Sequence, residues 1–193
     1  THAGIFDVSY LRCIPNMIIM SPSDENECWK MLSTGYSYQG PAAIRYPRGE
    51  GPGSEILKNF DLLEIGKARV INETSSDLVI LSFGNMLDIS IEIADQIDCS
   101  LVDMRFIKPL DEELIEKCAN SYKHIITIEE NVITGGAGSA VNEFLTKIGY
   151  SEKLKIFGIP DEFPIVGSQE DQREAAGLTK NKVLETLALH LNL

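Results

Sequence analysis

The sequence has 193 residues, 44% of them hydrophobic and 24% charged, which suits a globular protein of one large domain or of one domain and part of another. Seventeen basic against 29 acidic side chains give a formal charge of −12, which argues against nucleic acid and anionic membrane as partners. The longest apolar runs, such as Leu78-Val79-Ile80-Leu81, are too short to span a bilayer, and no signal-peptide pattern opens the chain.

The acidity is uneven. Residues 1–48 carry four basic and four acidic groups, the remainder 13 basic and 25 acidic, so an anionic small molecule meets less repulsion at the first segment. Cys13, Cys28, Cys99 and Cys118 form no Cys-x-x-Cys pair and have no histidine at metal-ligand spacing, so reduced, mostly buried thiols are expected.

In chain order, Thr1-His2-Ala3-Gly4-Ile5-Phe6-Asp7 sets a histidine in a loop-forming context ahead of an apolar segment, where an imidazole can relay a proton near pH 7. Phe6 to Cys13 reads as a short helix and Met17 to Met20 as a buried strand. Ser23 is the expected N-cap of a helix whose inward face is Cys28, Met31, Leu32 and Gly35/Tyr36. Ala42 to Tyr46 follows as a strand, making a parallel βαβ unit. The glycine-rich stretch from Gly49 to Asp61 reads as a linker and domain boundary.

Beyond it, Gly66 to Ile71 is an expected edge strand and Leu78 to Phe83 a strand covered on both faces. A helix carries Met86/Leu87, Ile91, Ala94 and Ile97 inward, and Cys99 to Met104 is the next strand. Asp111 caps a helix with Leu114, Ile115 and Cys118 inward. His124 to Ile128 is a strand, Gly135-Gly136-Ala137-Gly138 opens a helix through Leu145, and Leu154 to Phe157 is a strand. Thr179 caps a last helix. Strands alternating with helices predict a three-layer α/β/α domain with a mostly parallel sheet, preceded by a partial βαβ domain.

Several groups could carry chemistry. Gly135 to Gly138 after a strand invites a phosphate cradle, but it matches neither the dinucleotide nor the Walker pattern, and a tight turn accounts for the glycines. Glu129 and Glu130 could form an acid/base pair, yet at adjacent positions on a strand end a solvated or interface role is expected. His124 and His190 read as structural. Arg45 and Arg48 flank Tyr46-Pro47 at the carboxyl end of a strand, where parallel sheets bind ligands, and arginine grips phosphate with a planar fork. Arg48, past the proline, is the one freed to reach a ligand, the alternative being a solvent-exposed charge. Thr1 could be an N-terminal nucleophile, but the βαβ pattern differs from the fold of those hydrolases.

Read together, Thr1 to Asp7, Ser9-Tyr10-Leu11-Arg12, Pro22-Ser23-Asp24-Glu25-Asn26-Glu27, Arg45-Tyr46-Pro47-Arg48-Gly49, Leu101-Val102-Asp103-Met104-Arg105-Phe106, Lys108-Pro109-Leu110-Asp111 and Glu129-Glu130-Asn131 with Gly135 to Ser139 resemble the 1-deoxy-D-xylulose-5-phosphate synthases. These are transketolase-like enzymes that join pyruvate to glyceraldehyde 3-phosphate with loss of CO2, using thiamine diphosphate and magnesium. The resemblance implies that residues 1–48 end a pyrimidine-binding domain, 49–61 link, and 62–193 form a transketolase C-terminal domain. It implies His2 as the active-site histidine that assists proton transfer and Arg48 as the arginine that binds the aldehyde's phosphate.

The family's Gly-Asp-Gly metal motif does not occur here, and its cofactor-activating glutamate lies upstream of the His2 motif. Cofactor and metal ligands are therefore expected outside this chain, and the chain alone is expected to be inactive without its N-terminal portion. The resemblance also implies a homodimer in a bacterial cytoplasm or plastid-type organelle. The alternative is a non-catalytic dimerisation module, which the acidic, motif-poor residues 62–193 would suit.

Overall fold

The computed structural model describes residues 4–57, 61–150 and 153–191. Its elements are α1 (Asp7–Leu11), β1 (Ile18–Met20), α2 (Glu25–Ser37), β2 (Ala42–Ile44), β3 (Arg69–Asn72), β4 (Leu78–Ser82), α3 (Leu87–Ile97), β5 (Ser100–Asp103), β6 (Phe106–Lys108), α4 (Glu112–Ser121), β7 (His124–Val132), α5 (Ala137–Lys147), β8 (Lys153–Ile159), α6 (Gln169–Ala175) and α7 (Lys180–Leu191).

The larger sheet runs β3-β5-β4-β7-β8. Every neighbouring pair is parallel except edge strand β3 against β5. The central strand β4 is buried at all five residues, so its side chains alternate between two cores. Leu78 and Ile80 join Ile93, Val183 and Leu187 beneath α3 and α7. Val79 and Leu81 join Ile115, Val141 and Phe144 beneath α4 and α5. This is the expected three-layer arrangement, and fully burying each such side chain contributes roughly 1.5–3 kcal/mol.

β1 and β2 pair in parallel, Ile18 opposite Ala42 and Met20 opposite Ile44, on either side of α2 in sequence. The third strand of that sheet is β6, from the second half of the chain, antiparallel to β1. Sequence pattern had not indicated β6. Three residues are too few to show a period, but Phe106 is fully buried against Ile18, Met20 and Met31. The turn into β6 puts Arg105 in the left-handed region at φ 54°, and its carbonyl accepts from the Ser21 backbone N–H at 2.8 Å.

Helix α2 departs from expectation twice. Asp24, not Ser23, caps it, accepting from the Glu27 N–H at 2.7 Å, while Ser23 donates instead to buried Asp103. The buried face is Glu27, Met31 and Thr34, whereas Leu32 and Tyr36 are exposed. The cause is Glu27: Arg105 approaches it with Nε at 2.7 Å and Nη2 at 2.9 Å, turning a carboxylate inward. Of the cysteines, Cys99 and Cys118 are buried, with burial pushing the thiols up to about 12 and about 11. Cys13 is exposed.

Candidate functional site

The carboxyl ends of β2 and β7 meet the opening loop of the chain. Ile5 is buried, and its carbonyl accepts from the Val132 N–H at 2.9 Å, at the end of β7. Arg45, just past β2, donates to the carbonyls of Gly4 (3.0 Å) and Glu130 (2.6 Å) and lies 3.8 Å from the Asp7 carboxylate. One guanidinium thus joins loop, β2 and β7. His2 lies outside the described residues, two positions before the Gly4 carbonyl that Arg45 holds.

Arg48 is exposed at the same end of β2 and makes no hydrogen bond or ion pair with another described residue. The two arginines therefore differ in kind. Arg45 is used up by carbonyls and carboxylates, whereas Arg48 is exposed.

Glu129 and Glu130 depart from their expected solvated role. β7 continues through Val132, so both lie inside the sheet, 2% and 9% exposed, on opposite faces. Glu129 accepts from the backbone N–H groups of Ala137 and Gly138, each at 2.7 Å, at the start of α5. A Cβ on Gly138 would come 2.5 Å from Ile156 and 2.6 Å from Thr127, and one on Gly136 would come 2.5 Å from Glu129 itself. The glycines therefore make room for a buried carboxylate, which holds the helix start where a phosphate would sit. Burial pushes the Glu129 carboxyl up to about 7, against the pull of the two N–H groups and of Arg12 and Arg45.

Glu130 on the other face collects Asn85 (2.6 Å), Arg173 (2.7 Å) and Gln169 (3.1 Å), with Arg45 at 3.6 Å. Helix α6, whose polar sequence carries no apolar period, is held there by Gln169 and Arg173. Asn131 donates to the Ser9 hydroxyl at 3.1 Å, and Ser9 donates to the Thr134 carbonyl at 2.7 Å. Arg12, one turn on, donates to the carbonyls of Gly135 and Gly136 and to Glu143. The spacing of Ser9 and Arg12 on one helix face was the available signal for this contact.

The donor set does not fit a metal–diphosphate centre. Among the described residues no three His, Cys, Asp or Glu side chains gather so as to hold a metal ion. The glycine-rich helix start is filled by Glu129. A cavity of about 250 Å³ lined by Val70, Val102, Leu114 and Cys118 shares no lining residue with this site. Among the described residues no helix is long and apolar enough to cross a membrane.

Residues 66–183 match the family model "Transketolase, C-terminal domain", and residues 1–53 match "Transketolase, pyrimidine binding domain". The 1-deoxy-D-xylulose-5-phosphate synthase of Vibrio atlanticus is 47% identical over 196 residues, covering 99% of this chain and 31% of that protein. The synthase of Vibrio parahaemolyticus is 48% identical over 191 residues with the same coverage. The chain thus spans 31% of the length of these relatives. A solved split gene transketolase, described as an inactive beta4 tetramer, superposes with a TM-score of 0.85 at 29% identity, over 100% of this chain and 63% of that one. The transketolase of Campylobacter jejuni shares the fold, with a TM-score of 0.68 at 18% identity over 96% of this chain and 28% of that one.

Proposed function

The chain belongs to the transketolase family, and from that premise we propose that it forms the C-terminal part of a 1-deoxy-D-xylulose-5-phosphate synthase. The observation that carries this is the 47% identity to such a synthase along 99% of the chain. In this reading the complete enzyme condenses pyruvate with glyceraldehyde 3-phosphate and releases CO2. Thiamine diphosphate supplies the carbanion chemistry when bound, held with magnesium by residues outside this chain. Residues 1–48 end the pyrimidine-binding domain, 49–61 link, and 62–193 form the C-terminal domain. The enzyme is a homodimer of the bacterial cytoplasm or of a plastid-type organelle.

This chain's own contributions are His2 and Arg48. His2 moves protons at the reacting centre, and after it in sequence Arg45 and Val132 hold the carbonyls of Gly4 and Ile5. Arg48 binds the phosphate of the aldehyde through a charge-assisted, bidentate contact. In the complete enzyme, His2→Ala should depress kcat by about 10²-fold or more; unchanged turnover would remove His2 from the chemistry. Arg48→Ala should raise KM for the phosphorylated aldehyde by roughly tenfold to a hundredfold with pyruvate little affected, and an equal effect on both substrates would argue against phosphate binding.

The 193 residues alone should show no carboligation, since they contain no Gly-Asp-Gly metal motif. The second reading, a non-catalytic assembly module, draws on the neighbouring structure described as an inactive beta4 tetramer. Size-exclusion chromatography with and without a phosphorylated ligand separates the two. A dimer indifferent to ligand favours the module.

A further inference from the structure

Three consecutive residues in the first turn of α2 grip two different segments, one at Arg105 and one running from Gly53 to Leu57. Glu27 turns inward to Arg105. Asn26 accepts from the Leu57 N–H at 2.8 Å and donates to the Glu55 carbonyl at 3.0 Å. Glu25 faces the stretch directly after Arg48. Its Oε1 accepts from the Gly53 N–H at 2.8 Å and its Oε2 from the Ser54 N–H at 3.2 Å.

The loop is shaped around that carboxylate. Gly53 sits at φ +80° and Gly49 at φ +133°, conformations a side chain would strain. A Cβ on Gly51 would overlap the Glu25 carboxylate. The backbone from Arg48 to Ser54 therefore has one end at β2 and the other clamped to a helix start, with a glycine where it crosses the clamp. A side chain as long as arginine is useful to a ligand only if its Cα is held, and among the described residues no helix or strand lies between Ile44 and Arg69.

We infer that Glu25 is a positioning residue for Arg48, fixing the Arg48–Ser54 loop so that the guanidinium meets the phosphate of the aldehyde substrate. The inference rests on the reading of Arg48 given above. Electrostatics alone predicts the opposite sign, because removing a negative charge from beside an anion site strengthens anion binding. The direction of the change in KM therefore separates positioning from charge.

The test uses the complete thiamine diphosphate-loaded enzyme, with both substrates varied, for Glu25→Ala, Gly51→Ala, Arg48→Ala and the double variant Glu25→Ala/Arg48→Ala. Glu25→Ala and Gly51→Ala should each raise KM for the phosphorylated aldehyde roughly fivefold to tenfold, leaving kcat and the KM for pyruvate within about twofold. The double variant should be no worse than Arg48→Ala, as expected when one residue acts through the other. Glu25→Gln, which keeps one acceptor oxygen, should recover part of the loss. Hydrogen–deuterium exchange over residues 49–57 should quicken in Glu25→Ala.

A raised KM in Arg48→Ala with no change in Glu25→Ala and Gly51→Ala overturns the positioning role and leaves Arg48 standing. An unchanged KM in Arg48→Ala overturns both. A lowered KM in Glu25→Ala assigns the residue a charge effect and removes it as a positioning group.

Discussion

Glu129 ionises close to neutral pH because burial outweighs two short backbone hydrogen bonds and two nearby arginines. A carboxyl raised from 4.5 in the unfolded chain to about 7 when folded binds its proton more tightly in the native state. Its contribution is fully present below pH 4.5 and is lost as pH rises through 7, amounting to roughly 3 kcal/mol in all. Stability measured by urea denaturation should therefore fall across that window. In Glu129→Gln that part of the slope should be missing, and an unchanged slope would show that another group sets it. The burial was not legible in sequence, where Glu129-Glu130 looked like a strand end. The division between Arg45 and Arg48 was legible, because a proline between them breaks the pleat.

Helix α2 shows how a correct element can carry a wrong face. Its cap was expected at Ser23 and falls at Asp24, and the arginines that turn Glu27 inward lie in β3 and after β5, at Arg69 and Arg105. Nothing local announces them. Glu27→Ala should cost roughly 3–5 kcal/mol by leaving Arg105 half-buried without its carboxylate, and Glu27→Ala/Arg105→Ala should recover part of that loss in chemical denaturation. The α5 start makes a second case. The glycines at 135 to 138 were legible as a tight turn, while the carboxylate they enclose was not. Gly138→Ala should destabilise by about 1–3 kcal/mol through overlap with Ile156 and Thr127, read as a lower denaturation midpoint. Strand β4 and the first half of β7 were legible as near-continuous apolar runs, whereas the buried Glu129-Glu130-Asn131 end of β7 broke that pattern. The short β6 and the polar α6 had no such signature.

Across the whole molecule, the resemblance motifs fall largely on contacts between the two halves of the chain. Ser9 and Arg12 hold the β7–α5 turn, Arg45 holds Glu130, and Ser23 and Glu27 hold Asp103 and Arg105. Arg45→Ala should leave the Gly4 and Glu130 carbonyls without their donor and cost roughly 1–3 kcal/mol. At about 2–4 °C per kcal/mol for a chain of this size, a melting curve would register that as a single transition shifted downward. Two separate transitions in the variant would mean that the halves unfold independently.

The pairing of β1 with β6 also sets an order of events during synthesis. Ile19 and Met20 leave the ribosome roughly ninety residues before Phe106 and Lys108, an interval of about 4 to 18 seconds at ordinary elongation rates. Through that interval the nascent chain carries an open strand edge beside apolar side chains, the kind of surface that pairs with neighbours and recruits chaperones. Codon choice and translation speed between these two strands should therefore govern how much of the newly made protein reaches its native state.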